Sequence, residues 1–373
     1  KRASQAGKQT SGSGHGSNRQ ADRPNVLELS MFQRDVPLAP LTTLGLGGSA
    51  DHFVAVTDEQ ALIEALRWAR AQKLPVTILG GGSNAVVPDE GVRGLVVQLA
   101  MSGVERDGAD LVVAAGENWD RFVSDCVDQE LAGVECLAGI PGLVGATPIQ
   151  NVGAYGQEVA ETITRVRCID RRDLSVVERS NAECGFAYRH SDFKENPGRF
   201  IVTHVHFRLT PGGAPARRYG ELSRATKEDA SLSEVRDMIV ALRRRKSMVL
   251  DSADPNSRSA GSFFTNPIVG AEQAAALIAR CVDAGIDEGD IPRWPDEARG
   301  QIKFAAAWLI ERAEFVRGTR REHVGQSSVH ALALVHYGGG TTTELLAFAD
   351  EIQDAVQERF GVRLEREPRI LGG

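Results

Sequence analysis

The chain has 373 residues, 42% of them hydrophobic and 25% charged, with a formal net charge of −7. That length and apolar content suffice for two or three domains, and the acidic balance gives no overall attraction for nucleic acid or an anionic membrane surface. Five widely spaced cysteines form no C-x-x-C pair and have no histidine cluster nearby, so they read as reduced thiols and no metal is expected.

In chain order, residues 1–25 are rich in Gly, Ser, Gln, Asn, Lys and Arg. They cannot offset their ordering entropy by burial, so a disordered tail is expected. No run approaches the roughly 18 apolar residues of a membrane span, and the first residues lack a signal peptide's apolar core. A cytoplasmic location follows as an expectation, with neither membrane nor nucleic acid as partner.

From Leu38 the pattern is α+β. Strands are expected at Phe53–Thr57, Val76–Leu79 and Leu95–Leu99, around a helix near Glu59–Gln72 whose Leu62, Ile63, Leu66 and Ala69 share a face. A second region carries strands at Leu111–Ala115, Ile163–Asp170 and Phe200–Thr210. Its helix Trp119–Glu130 gathers Phe122, Val123, Cys126 and Val127, with Gly133 as its stop. Ser231 with Glu234 makes a capping box for a helix that ends in Arg243, Arg244, Arg245 and Lys246. The third region reads as mostly helical, at Ala271–Ala284, Phe304–Arg312 and Glu344–Phe360, with a strand at His330–Tyr337. Thr341 with Glu344, and Gly361, bracket the last helix.

The strand at Val76–Leu79 runs into Gly80, Gly81, Gly82, Ser83 and Asn84. Glycines permit positive φ and close backbone approach, so successive N–H groups can form a concavity for a diphosphate. A dinucleotide fingerprint would need glycine where Ala85 stands. Taken alone, the stretch reads equally well as a tight turn between strands.

A longer block, Gly139 to Gly156, holds five glycines and two prolines and few charges. It suits a backbone lying flat against a planar polar ligand such as an isoalloxazine ring, or a buried, rigid connection between strands.

Taken in order, the text resembles the UDP-N-acetylenolpyruvoylglucosamine reductase family. The resemblance rests on Leu41–Gly48 (LTTLGLGG), Ile78–Asn84 (ILGGGSN), Ile140–Gly156 (IPGLVGATPIQNVGAYG), Phe186–Ser191 (FAYRHS), Arg218–Leu222 (RYGEL), Ala260–Pro267 (AGSFFTNP) and Leu364–Ile370 (LEREPRI). RYGEL resembles the segment of the family's type I, the subgroup that carries an extra loop. Leu41, Ala307 and His336 depart from the family's usual residues.

The resemblance implies an α+β fold with the FAD-binding architecture of the vanillyl-alcohol-oxidase type, plus a C-terminal α+β domain for substrate. The expected division is residues 26–100 with the returning 363–373 as the first FAD-binding subdomain, 101–245 as the second, and 246–362 as the substrate domain. It also implies the chemistry: NADPH reduces FAD and leaves, hydride passes to the β-carbon of an enolpyruvyl ether, and the α-carbon is then protonated. The substrate is a nucleotide sugar, and a monomer is expected.

By the same resemblance, Arg189 meets the substrate carboxylate, Ser262 donates the proton, and Glu367 acts on the enol. FAD is expected at Gly80, Gly81, Gly82, Ser83 and Asn84. Its further contacts are expected at Gly139, Pro141, Gly142, Gly145, Ala146, Pro148, Gln150, Asn151, Gly153, Ala154, Tyr155 and Gly156. Substrate contacts are expected from Tyr188, Tyr219, Lys246, Asn266, Arg317 and His330. Two other readings stand beside this one: an FAD-linked oxidase of the vanillyl-alcohol-oxidase type, and a catalytically silent flavin or nucleotide-sugar binding module.

Overall fold

The computed structural model describes residues 32–296 and 300–372. The expected tail, 1–25, lies outside the described residues. The chain divides at residue 32, and everything below concerns the unit that starts at Gln33.

A four-stranded sheet comes first, in the order Gln33–Pro37, Ser49–Val56, Val92–Leu99, Val76–Leu79. The last three run parallel and Gln33–Pro37 is an antiparallel edge; it precedes the expected start at Leu38. The helix Glu59–Ala71 is capped by Asp58, which accepts from the Ala61 N–H, and it buries Leu62, Ala65, Leu66 and Ala69. Leu38, Phe53, Leu79 and Val96 form the core here and are joined by Leu371 from the far end of the chain. That end is held because Arg369–Ile370 pairs in parallel with Ala85–Val86.

The second sheet is antiparallel in the order Val176–Ser180, Ile163–Asp170, Phe200–Arg208, Asp110–Ala114, Val104–Asp107. Trp119, Phe122 and Phe207 fill its core. The helix Trp119–Asp128 ends at Gln129 with Glu130 in the left-handed region (φ +55°), so the expected stop at Gly133 is not used. Glu59 clasps this sheet to the first helix: Arg167 donates to both carboxylate oxygens at 2.8 Å and Thr203 Oγ1 donates at 2.6 Å. The Arg167 hydrogen bond holds the Glu59 carboxyl down at about 2.

The third region is not mostly helical. It contains two antiparallel sheets, one ordered Ser259–Ser262, Ala333–His336, Val324–Gln326, Arg320–Arg321, the other Ile268–Val269, Gln301–Phe304, Arg293–Asp296. Strands of two to four residues show no alternation to read, which is why they escape the sequence. Phe304 closes a strand and the helix begins only at Ala306. The last helix, Thr342–Phe360, carries the expected capping box and ends at Gly361 (φ +74°). His336 donates or accepts at both ring nitrogens, to Leu44 O at 3.0 Å and from the Gly340 N–H at 3.3 Å.

Candidate active site

The two glycine blocks meet. A Cβ on Gly81 would stand 3.0 Å from Gly142 Cα, and one on Gly142 would stand 2.8 Å from Ser83 Oγ. Ser83 Oγ in turn donates to Pro141 O at 3.0 Å. Gly82, Gly139 and Gly142 all have positive φ, at +65°, +71° and +122°, which only glycine adopts freely. Where a Gly80 side chain would stand, no atom of the described residues other than its chain neighbours lies within 4 Å. Among the described residues the N–H groups of Gly81, Gly82 and Ser83 donate to none. Free donors beside open space make a cradle that fits the diphosphate of FAD.

The rest of the longer block is wired into the second sheet. Gly145 packs so tightly that a Cβ would fall 2.4 Å from Ala115 Cβ, and Pro148 is buried while Ala146 is exposed. Asn151, expected to touch the cofactor, directs its amide into the protein. Its Nδ2 donates to Glu158 at 2.6 Å and Ala187 O at 3.1 Å, and its Oδ1 accepts from the Ala160 N–H. Its side chain therefore positions the loop. Ala154 ends the two-residue strand begun by Gly153, Tyr155 follows at φ +50°, and Gly156 turns the chain at φ +79°.

Arg189 sits at φ +50°, a conformation that costs a non-glycine residue about 1–3 kcal/mol and gathers at functional sites. Its Nη2 donates to Gly153 O at 2.8 Å and its Nε lies 3.2 Å from Glu367 Oε1. Ser191 Oγ fastens the same segment to Ile149 O at 2.5 Å. Glu367, with 12% of its side chain exposed, also accepts from Gln150 Nε2 at 3.2 Å. Asn84 Nδ2 donates to Gln150 Oε1 and to Glu367 O. Cradle and carboxylate are thus one hydrogen-bonded chain. Burial raises the Glu367 carboxyl above its ordinary range, with Arg189 and Lys194 acting against that shift.

Ser262 reaches the same place by register. The Glu367 N–H donates to Phe263 O at 2.9 Å, and Phe264 bridges to Arg366. Ser262 follows Gly261 (φ +74°), is half-buried, and its hydroxyl has no hydrogen-bond partner among the described residues. The hydroxyl is left available to a ligand.

The expected substrate contacts fall into two groups. Tyr188 and Asn266 line a cleft of about 790 Å³ with Arg189 and Lys194. Lys303 Nζ lies over the Tyr188 ring at 4.6 Å, and Asn266 Oδ1 accepts from the Ala306 N–H. The other group surrounds Tyr155, whose ring meets that of Tyr219 edge-on at 5.5 Å and lies 5.8 Å from Lys246 Nζ. Arg317 is 54% exposed and pairs with Glu311 at 2.9 Å. His330 does not stand in the strand expected over His330–Tyr337, which begins at Ala333; it caps the turn before it. Burial, then the charges of Lys246, Arg243 and Arg317, push the His330 imidazole down to about 4. It is a neutral ring among cations.

Arg243 was missed, because a basic run at a helix end reads as a complement to the dipole. Arg244 and Arg245 are exposed as that reading requires. Arg243 instead donates from Nη2 to Met248 O, and its Nε is buried without a hydrogen-bond partner, 3.4 Å from where a Gly139 Cβ would be. Burial pushes it down to about 10. The available signal was its place four residues after Ile239 on the helix's buried face.

The sequence matches two family descriptions: "FAD binding domain" over residues 50–178 and "UDP-N-acetylenolpyruvoylglucosamine reductase, C-terminal domain" over residues 254–371. The expected α+β FAD-binding fold with a C-terminal addition is therefore the fold found. The chain is 47% identical to the UDP-N-acetylenolpyruvoylglucosamine reductase of Thermobifida fusca, covering 91% of this chain and 98% of that protein. It is 45% identical to the same-named protein of Streptomyces coelicolor, covering 93% and 92%. The crystal structure of the UDP-N-acetylenolpyruvylglucosamine reductase from Thermus caldophilus superposes with a TM-score of 0.63 at 25% identity, over 90% of this chain and 98% of that one. With this coverage and identity, the chain belongs to the UDP-N-acetylenolpyruvoylglucosamine reductase family.

Proposed function

We propose that this chain catalyses the NADPH-dependent, FAD-mediated reduction of UDP-N-acetylglucosamine enolpyruvate to UDP-N-acetylmuramate, a step in making peptidoglycan precursors. The observation that carries this reading is the Arg189–Glu367 contact at 3.2 Å, with Ser262 brought alongside by the Glu367-to-Phe263 hydrogen bond. A cation for the carboxylate, a buried carboxyl for the enol and an unengaged hydroxyl for the proton are the groups that reduction of an enolpyruvyl ether requires.

The Gly80–Asn84 cradle and the Gly139–Gly156 backbone would hold FAD, which when bound would supply hydride transfer from NADPH to the substrate's β-carbon. Arg189, its Nη2 on Gly153 O and its Nε against Glu367, meets the enolpyruvyl carboxylate with its remaining guanidinium N–H groups, where negative charge gathers as the double bond is lost. Ser262 Oγ delivers the proton to the α-carbon, and its hydroxyl is available for this because no described residue engages it. Glu367, whose carboxyl burial raises above its ordinary range and which Gln150 aims, hydrogen-bonds the enol oxygen. Lys246 and Arg317 meet the diphosphate, Asn266 and Tyr188 the sugar end, and Tyr219 covers the site and excludes water.

The same reading divides the chain into residues 26–100 with 363–373, residues 101–245, and residues 246–362, the last holding the substrate. Separate apolar cores in the first and second sheets support the boundary between the first two parts, while the core of the third region also takes in Leu44, Leu46 and Val86 from the first. A monomer in the cytoplasm suits a nucleotide-sugar substrate, and no helix among the described residues is long and apolar enough to cross a membrane.

The test is mass spectrometry of the nucleotide sugar after incubation with the FAD-loaded protein and NADPH. A product two hydrogens heavier, formed without oxygen, is expected. NADPH consumption without any change in the nucleotide sugar overturns the proposal.

A further inference from the structure

Lys246 does not wait with a bare charge. Its Nζ lies 3.0 Å from Glu221 Oε2, and both side chains are part-exposed, at 40% and 37%. Its fellow cations differ: Arg317 is paired with Glu311, whereas Arg243 donates only to a neutral carbonyl. Glu221 therefore places a carboxylate at the mouth of a cationic cluster, where a diphosphate would put its own oxygens.

Glu221 stands two residues after Tyr219, in the short helix Gly220–Ala225 that Tyr219 caps. Arg217 clips that segment into a unit, donating to Ser223 O and to Thr226 Oγ1 and O. Leu222 is fully buried in the second core and anchors the inner side of the unit. On the outer side the unit is held by the Glu221–Lys246 pair, by Arg218 on Glu161 at 2.8 Å, and by the edge-on contact of Tyr219 with Tyr155. Exposed ion pairs of this kind contribute little net free energy, so a more highly charged anion can replace the carboxylate.

We propose that Glu221 is a resident counter-anion for Lys246, displaced by the incoming diphosphate, so that binding of the nucleotide sugar and release of the Tyr219 segment are one event. This rests on the reading that Lys246 meets the diphosphate. Glu221 is then a positioning residue: it keeps Lys246 extended toward the site, and it sets a threshold that a diphosphate passes and a weaker anion does not. The exchange also gives Tyr219 a reason to move only when a ligand has arrived.

The test is calorimetric titration of UDP into the FAD-loaded full chain as wild type, Glu221→Gln, Lys246→Met and the double variant. Removing the competitor tightens binding in Glu221→Gln by about three- to tenfold. Lys246→Met weakens binding about tenfold or more, and adding Glu221→Gln to it changes nothing further, since the two act as one pair. If Lys246→Met binds UDP as the wild type does, the diphosphate reading fails and the exchange with it. If Lys246→Met weakens binding but Glu221→Gln leaves it unchanged or weaker, the exchange alone is overturned. Melting temperatures and FAD content unchanged from wild type keep either result from being a folding effect. In a Tyr219→Trp background, Glu221→Gln shifts the unliganded emission toward that of the UDP-bound parent; an unshifted emission contradicts the coupling.

Discussion

Arg189 Nε and Glu367 Oε1 lie 3.2 Å apart, joining the FAYRHS segment to the returning C-terminal segment at the end of the glycine cradle. The pair forms because Arg189 is fixed by Gly153 O and Glu367 by Gln150 and Phe263 O. Lysine at position 189 keeps the charge but loses the planar fork. Arg189→Lys is expected to slow enolpyruvyl reduction about a hundredfold while NADPH still bleaches the flavin at close to the normal rate. Stopped-flow measurement of the two half-reactions checks this.

On the proposed reading, Ser262 acts only in the second half-reaction. Ser262→Ala should leave flavin reduction by NADPH nearly intact and slow reoxidation by the enolpyruvyl substrate by at least about 10²-fold. Equal losses in both halves, read from the same traces, would remove Ser262 from the role of proton donor.

Glu367 ties function to pH. Burial raises its carboxyl above the ordinary 4.5, so the folded state holds this proton more tightly than the unfolded state. The stabilisation is fully present below the unfolded value and is lost as pH rises through the folded one. Glu367→Gln does not titrate. Its melting temperature should gain on the wild type as pH rises from about 4 to about 8, and differential scanning calorimetry across that range reads the difference. A constant offset contradicts the raised carboxyl.

Gly142 carries two constraints at once: φ of +122° and a neighbouring Ser83 Oγ that a Cβ would meet at 2.8 Å. Gly142→Ala should cost about 1–3 kcal/mol through backbone strain and push the two glycine blocks apart. The purified variant is expected to retain less than about a tenth of the wild-type FAD, measured as bound flavin per chain, with a lowered melting temperature.

Much of this site was legible because its residue types are demanding locally. Gly82, Gly139, Gly142 and Gly156 sit where only glycine is comfortable, and Thr341, Glu344 and Gly361 bracket a helix through short-range hydrogen bonds. The order of motifs then placed Arg189, Ser262 and Glu367. Contacts between distant segments were not legible. Nothing in either glycine block says that Gly81 packs on Gly142, and nothing near Glu221 says that it holds Lys246. The short strands around Ser259–Ser262 and Gln301–Phe304 carry no alternation, and Arg243 lost its meaning inside a run of basic residues whose other members are solvated.

The central claim is tested most directly by an anaerobic absorbance trace of the FAD-loaded protein, with NADPH added first and UDP-N-acetylglucosamine enolpyruvate second. Bleaching by NADPH followed by full recovery on adding the enolpyruvyl nucleotide is the predicted result. Bleaching that only oxygen reverses, or a protein that binds no flavin, would contradict it.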